Sequence, residues 1–198
     1  MGVTRGYGVL EGFLAQLRHR KAEQLIPPAL RNGRILDVGC GSYPLFLMKT
    51  SFSEKYALDK IVDEDSSGIE TEKIVFKNFD VEHEDVLPFQ DNFFDVVTML
   101  AVFEHLDPDI LSRLTREVRR ILKPEGVYVL TTPAAHADGA LHFMSKLKLV
   151  SPVEIGEHKK TYTPFEIQSF LQGSGFIKQN IQLGYFELFF NIWGVAKK

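Results

Sequence analysis

The residues of this chain that could act on a ligand fall at the ends of successive apolar runs. In ILDVGCGSYP, residues 35 to 44, Asp37 and Val38 close such a run, and Gly39 and Gly41 bracket the single cysteine, Cys40. A strand that feeds a glycine turn and then a helix offers a ligand backbone N–H groups and the positive end of a helix dipole, and glycine lets the ligand approach the main chain closely. Asp59 closes the next run, KYALD, about twenty residues beyond Asp37; at that spacing a carboxylate reaches a ribose diol and can accept from both hydroxyls. Asp80 closes the following run, KIVFKNFD, where it could accept from an adenine amino group beside apolar neighbours. Three strand ends thus offer contacts for a tail, a sugar and a base.

The same turn nearly fits the dinucleotide fingerprint G-x-G-x-x-G, but Pro44 stands where the third glycine belongs. A pyrophosphate cradle needs that glycine for close packing of helix on strand, and a ligand without phosphates relaxes the demand. A nicotinamide-dependent reductase is therefore disfavoured. His83, flanked by Glu82, Glu84 and Asp85, reads as a solvated acidic loop, and the sequence presents no metal ligand set.

These residues need a frame, and the hydrophobic pattern supplies one. Leu10, Phe13, Leu14, Leu17 and Leu25 fall at helical spacing up to Pro27 and Pro28. RILDV, KYALD, KIVFKNFD, FFDVVTML and GVYVLTT have strand length. Between the last two, Ile110, Leu111, Leu114, Val118, Ile121 and Leu122 share one helix face, with Asp109 as the expected cap and Pro124 and Gly126 at the end. That strand, helix, strand rhythm implies a covered parallel sheet. Further on, Thr163 and Pro164 open a helix that Gly173 and Gly175 close. FIKQNIQL then alternates apolar and polar, and after Gly184 an aromatic strand runs to Lys198; the pair reads as an antiparallel hairpin.

A chain of 198 residues with 44% hydrophobic content is expected to form one domain. Its net charge of -3 creates no field that draws in nucleic acid, and RHRK at 18–21 and HKK at 158–160 are too short to change that. The N-terminus shows neither an export signal nor a myristoylation signal, and no stretch is long and apolar enough to span a bilayer. With one cysteine and no intrachain disulfide, a reducing, cytoplasmic setting is expected.

Taken in order, these motifs resemble the class I S-adenosylmethionine-dependent methyltransferases, and within them the quinone-biosynthesis and small-molecule group. ILDVGCG is similar to the first motif, ALDK to the ribose-binding segment, NFDVEHEDVLPF to the adenine-contacting segment, DNFFDVVTMLAVFEHL to the fourth strand and its turn, LKPEGVYVLTTP to the fifth strand, and HKKTYTPFEIQSFLQGSGF to the helix before the final hairpin. The resemblance covers residues 30 to 198. It implies an α/β, Rossmann-like doubly wound sheet of seven strands in the order 3-2-1-4-5-7-6, with strand 7 antiparallel and helices on both faces. S-adenosylmethionine is the implied cofactor, with contacts from Asp37, Gly39, Cys40, Gly41, Tyr43, Asp59, Lys60, Asp80, Val81 and Leu100. Tyr43 stands where the family commonly carries another glycine.

The methyl group would point toward AVFEHLDP. There His105 is the candidate base, because an imidazole titrates near neutrality; Glu104 or His105 could equally orient the turn. His158 and Tyr162 are candidate substrate contacts. Residues 1–30 are expected to form a helical lid and 134–162 a substrate-side insertion. Leu141, Met144, Leu147 and Leu149, with lysines between them, also allow a weak peripheral membrane contact. No Asn/Asp-Pro-Pro-aromatic motif follows the fourth strand, which favours a small-molecule or lipid-like acceptor over nucleic acid. The competing reading is a cofactor-binding or partner module without catalysis.

Overall fold

The chain is described by a computed structural model at residues 11–41, 43–60, 73–137 and 160–198. Seven strands form one sheet: β1 (Arg34–Val38), β2 (Glu54–Asp59), β3 (Ile74–Asn78), β4 (Phe94–Leu100), β5 (Leu122–Pro133), β6 (Ile181–Phe186) and β7 (Asn191–Lys197). Their spatial order is β3-β2-β1-β4-β5-β7-β6. β1 to β5 pair in parallel, and β7 runs antiparallel between β5 and β6. This is the strand order and direction that the resemblance implies.

Two apolar layers cover the sheet. On one face Leu36, Val38, Val97 and Met99 pack with Leu111, Leu114 and Val118 of α3 (Pro108–Ile121) and with Ile167 and Leu171 of α4 (Pro164–Gly173). On the other, Ile35, Ala57, Val96, Val127 and Val129 pack with Ala22 of α1 (Glu11–Leu25), with Ile26 just beyond it, and with Phe46 and Leu47 of α2 (Leu45–Lys49). Alternate residues of one strand feed opposite faces, so the central strands read as continuous apolar runs.

α3 starts two residues earlier than the sequence suggests. Asp107 takes the N-cap backbone position without a side-chain cap bond, and Pro108 follows at the first helical position. The ring's fixed φ sets the start there, which leaves Asp109 in the first turn as a charge facing the helix dipole. α4 begins as expected: Glu166 N–H donates to Thr163 Oγ1 at 3.3 Å, and Thr163 N–H donates to Glu166 Oε2 at 2.9 Å, a reciprocal capping box.

The C-terminal hairpin differs from its sequence reading in position. Residues 178–180 form a 3₁₀ turn, and the reversal occupies residues 187–190 instead of Gly184. Gly184 lies inside β6 opposite Trp193, where a Cβ would meet the indole at 2.6 Å. The glycine makes room for a cross-strand ring and does not mark a turn.

Candidate active site

Parallel pairing brings the carboxyl ends of β1, β2 and β3 side by side, with β4 on the other flank of β1. At about 4.8 Å between neighbours, the ends of β1 to β3 span roughly 10 Å, the reach of a nucleoside. Gly39 and Gly41 both take left-handed backbone angles, φ 75° and 73°. Gly39 N–H donates to Leu58 O at 2.8 Å, which ties the turn to the end of β2. A Cβ on Gly39 would lie 2.5 Å from Val102 Cγ2, so glycine is required there by packing as well as by conformation.

Asp59 faces this turn from the next strand. Gly41 N–H donates to its Oδ2 at 2.6 Å, and Lys60 N–H to its Oδ1 at 2.7 Å. One strand further, Asp80 holds Lys60 Nζ at 2.5 Å, accepts from Glu82 N–H at 3.0 Å and pairs with His83 Nδ1 at 2.9 Å. The Lys60 ammonium, chiefly, holds the Asp80 carboxyl down at about 2. These contacts fix the Asp80 carboxylate at its strand end. Val81 and Leu100 are half-buried at the rim, and Lys60 and Tyr43 are exposed, Tyr43 at 39%.

Asp37 and Cys40 lie beneath the turn. Asp37 is buried, and Thr98, its partner in the β1–β4 register, donates from Oγ1 to Asp37 Oδ1 at 2.6 Å. Burial pushes the Asp37 carboxyl up to about 7 against that hydrogen bond, and the charge of Asp59 adds to the push. The Cys40 thiol points to Gly41 O at 3.3 Å, and burial raises it well above its ordinary range. Both side chains support the turn from within the fold.

After β4 the chain turns through Ala101, a non-glycine residue at φ 58° whose N–H is held by Thr131 O at 2.9 Å and Thr131 Oγ1 at 3.2 Å. The 3₁₀ turn Phe103–His105 follows. Glu104 is buried and accepts from Thr132 Oγ1 at 3.0 Å, whereas His105 is half-buried, with its backbone N–H on Val102 O at 3.1 Å. Of the two, Glu104 orients the turn, and His105 is the more accessible.

Tyr162, the other candidate substrate contact, sits in the core. It is fully buried, its hydroxyl donates to Leu106 O at 3.4 Å, and its ring meets Phe103 and Phe170 edge-on. Desolvation pushes the phenol up to about 12. The ring is a core brace between the segment after β5 and the turn after β4. His158, the membrane-contact segment 141–149 and most of the expected insertion lie outside the described residues. Among the described residues, no three His, Cys, Asp or Glu side chains gather as a metal site. Sequence reasoning missed Thr98, Thr131, Thr132 and Val102, because each acts through cross-strand or loop packing that no local motif encodes.

A family model for a methyltransferase domain matches residues 10–179. The chain belongs to that family: it is an S-adenosylmethionine-dependent methyltransferase. A solved S-adenosylmethionine-dependent methyltransferase from Archaeoglobus fulgidus is similar, with 20% identity, a TM-score of 0.71, and coverage of 96% of this chain and 97% of that one. A Haloferax volcanii complex of the Trm112 methyltransferase activator with a methyltransferase matches at 18% identity and a TM-score of 0.69, covering 94% of this chain and 92% of that one. Phosphoethanolamine N-methyltransferase 2 from Haemonchus contortus, solved with S-adenosyl-L-methionine, matches at 14% identity and a TM-score of 0.66, covering 92% of this chain and 52% of that one. No curated protein matches the chain in sequence.

The cofactor fits the residues present. The left-handed glycine turn leaves the main chain open to close approach, and a half-buried carboxylate stands at the adjacent strand end.

Proposed function

We propose that this methyltransferase acts on a small-molecule or lipid-like acceptor, in a cytoplasmic setting, by in-line displacement at the rim formed by the ends of β1 to β4. The observation that carries the reading is the pairing of Gly41 N–H with Asp59 across two neighbouring strand ends at 2.6 Å. It sets an ordered donor and an ordered acceptor side by side where an amino-acid tail joins a ribose. When bound, S-adenosylmethionine supplies an activated methyl group whose leaving group departs as a neutral thioether.

In this reading Asp59 accepts from the ribose hydroxyls, and the Gly39–Gly41 backbone, with Tyr43 at its margin, receives the methionine end. Asp37 and Cys40 position that backbone from below. Val81 and Leu100 cover the base, while Lys60 and Asp80 close its outer side. The remaining task of the protein is alignment and the exclusion of water. His105, half-buried on the turn after β4, takes the proton that an oxygen or nitrogen nucleophile loses as the new bond to carbon forms. In this reading His158 contacts the acceptor, and residues 1–30 serve as the lid.

The test is calorimetric titration with S-adenosylmethionine and, separately, NAD, on the wild type and on Asp59→Ala, followed by turnover with hydroxyl, amine and amphiphile acceptors. Binding of the first ligand alone, lost in the variant, supports the assignment of the site. Binding that survives Asp59→Ala sinks it, and binding without turnover on any acceptor assigns the chain a non-catalytic role.

A further inference from the structure

The turn joining β6 to β7 is unusual in both backbone and surface. Glu187, Leu188 and Phe189 take φ values of 52°, 54° and 71°, three successive left-handed residues without a glycine. Such a run is strained for side chains with a Cβ, and strain of this kind persists only where the surroundings over-determine it. They do so here. Phe190 N–H donates to Glu187 O at 3.0 Å, Ala134 N–H donates to Phe190 O at 2.9 Å, and Asn191 Nδ2 donates to the Glu187 carboxylate. Phe190 packs on the core.

The apex side chains do not share in that packing. Leu188 is 86% exposed and Phe189 66%. The Tyr185 ring, itself exposed, lies 5.8 Å from Phe189 and 5.6 Å from His136, so an aromatic row runs from the tip to the 3₁₀ turn after β5. Because Asn191 pairs with Pro133, this tip stands on the same edge of the sheet as the carboxyl ends of the parallel strands.

Cations flank the tip. α1 passes beside β7 with Lys21 Nζ 4.6 Å from the Trp193 ring, and the Arg18 charge acts on Glu187. One turn separates Arg18 from Lys21, so the first turn of α1 extends past the tip at the rim. Phe13 and Arg20 are exposed on the side of α1 that faces away from its buried Ala15 and Ala22.

We propose that the Leu188–Phe189 tip, with the Tyr185 ring behind it and Arg18 and Lys21 of α1 beside its hairpin, docks the enzyme on an anionic lipid surface. A protruding convex tip of two apolar side chains is far smaller than the roughly 800 Å² that a stable protein partner covers. It suits insertion among lipid headgroups, with tyrosine at the interface and basic residues facing anionic lipid. Docking in this pose faces the rim toward the bilayer and specifies the acceptor as an amphiphile presented from it, a step that rests on the lipid-like alternative of the proposed function.

The test is co-sedimentation of the full chain with phosphatidylcholine vesicles and with vesicles that also contain phosphatidylglycerol. The Leu188→Asn/Phe189→Asn variant is compared with wild type, as is Lys21→Glu. Asparagine accepts left-handed angles more readily than leucine or phenylalanine, so the tip variant keeps its thermal midpoint and its S-adenosylmethionine titration. Wild type sediments with the anionic vesicles only, and each variant partitions about tenfold less. Wild type remaining in the supernatant, or tip variants that sediment equally, overturns the proposal. So does a tip-dependent dimer seen by sedimentation velocity without vesicle binding. Vesicle binding by a chain that fails to bind S-adenosylmethionine would refute the cofactor site while upholding the docking surface.

Discussion

Mild acid probes the packing of α1 on α2 through His19. Its ring lies 5.6 Å from that of Phe46, and its Nδ1 is buried with no hydrogen-bond partner among the described residues. Burial, followed by the charges of Arg18 and Lys49, lowers the imidazole from 6.5 to about 4 against the opposing pull of Glu23. Between those values the unfolded chain binds a proton that the folded chain does not, so stability falls as pH falls through 6.5 toward 4. From pH 7 to pH 5 this loss is about 2 kcal/mol, at about 1.4 kcal/mol per pKa unit.

Asp37 works in the opposite sense. Its carboxyl is raised to about 7 by burial, so over the same interval the folded chain gains the proton and stability rises by about 2 kcal/mol. The two contributions nearly cancel in the wild type. His19→Phe removes one of them, so the variant gains about 2 kcal/mol relative to wild type when the pH is lowered from 7 to 5, or roughly 4–8 °C in thermal midpoint. Urea unfolding of both proteins at the two pH values measures this. Any constant offset reports repacking and is irrelevant; only the pH-dependent difference counts. Parallel shifts in the two proteins would refute the assignment of a depressed His19.

Gly39→Ala combines a strained φ with a contact on Val102. It is expected to destabilise the fold by about 1–3 kcal/mol and to weaken S-adenosylmethionine binding more than tenfold, read by denaturation and calorimetry. Thr98→Val removes the donor to Asp37 Oδ1 at nearly constant shape. It costs about 1–3 kcal/mol at pH 8, where Asp37 is ionised, and less at pH 5, so urea midpoints at those two pH values should diverge from wild type by unequal amounts.

The sequence makes legible those features whose cause is local. β1, β4 and β5 announce themselves because burial on both faces demands unbroken apolar runs. α4 does so because Thr163, Pro164 and Glu166 carry their whole capping chemistry within one turn. The glycine turn and Asp59 are legible because the spacing from one strand end to the next is short. What is hidden depends on register. Thr98 reaches Asp37 only through the β1–β4 pairing, Thr132 reaches Glu104 only across the turn after β4, and Gly184 reads as a reversal until Trp193 is seen lying over it. The packing of Tyr162 is hidden for a related reason: the rings of Phe103 and Phe170 that close around it are distant in sequence.

The fit of Val102 into the space above Gly39 makes the turn after β4 and the turn after β1 a single mechanical part. A side chain in the former occupies the notch that the missing Cβ leaves in the latter, so neither turn can shift without the other giving way. Attempts to alter acceptor choice by replacing the segment around His105, the proposed base, will therefore be felt at the turn proposed to hold the cofactor. A graft that keeps Val102 at its depth should leave cofactor affinity intact, while one that enlarges or withdraws it should change both recognition properties together.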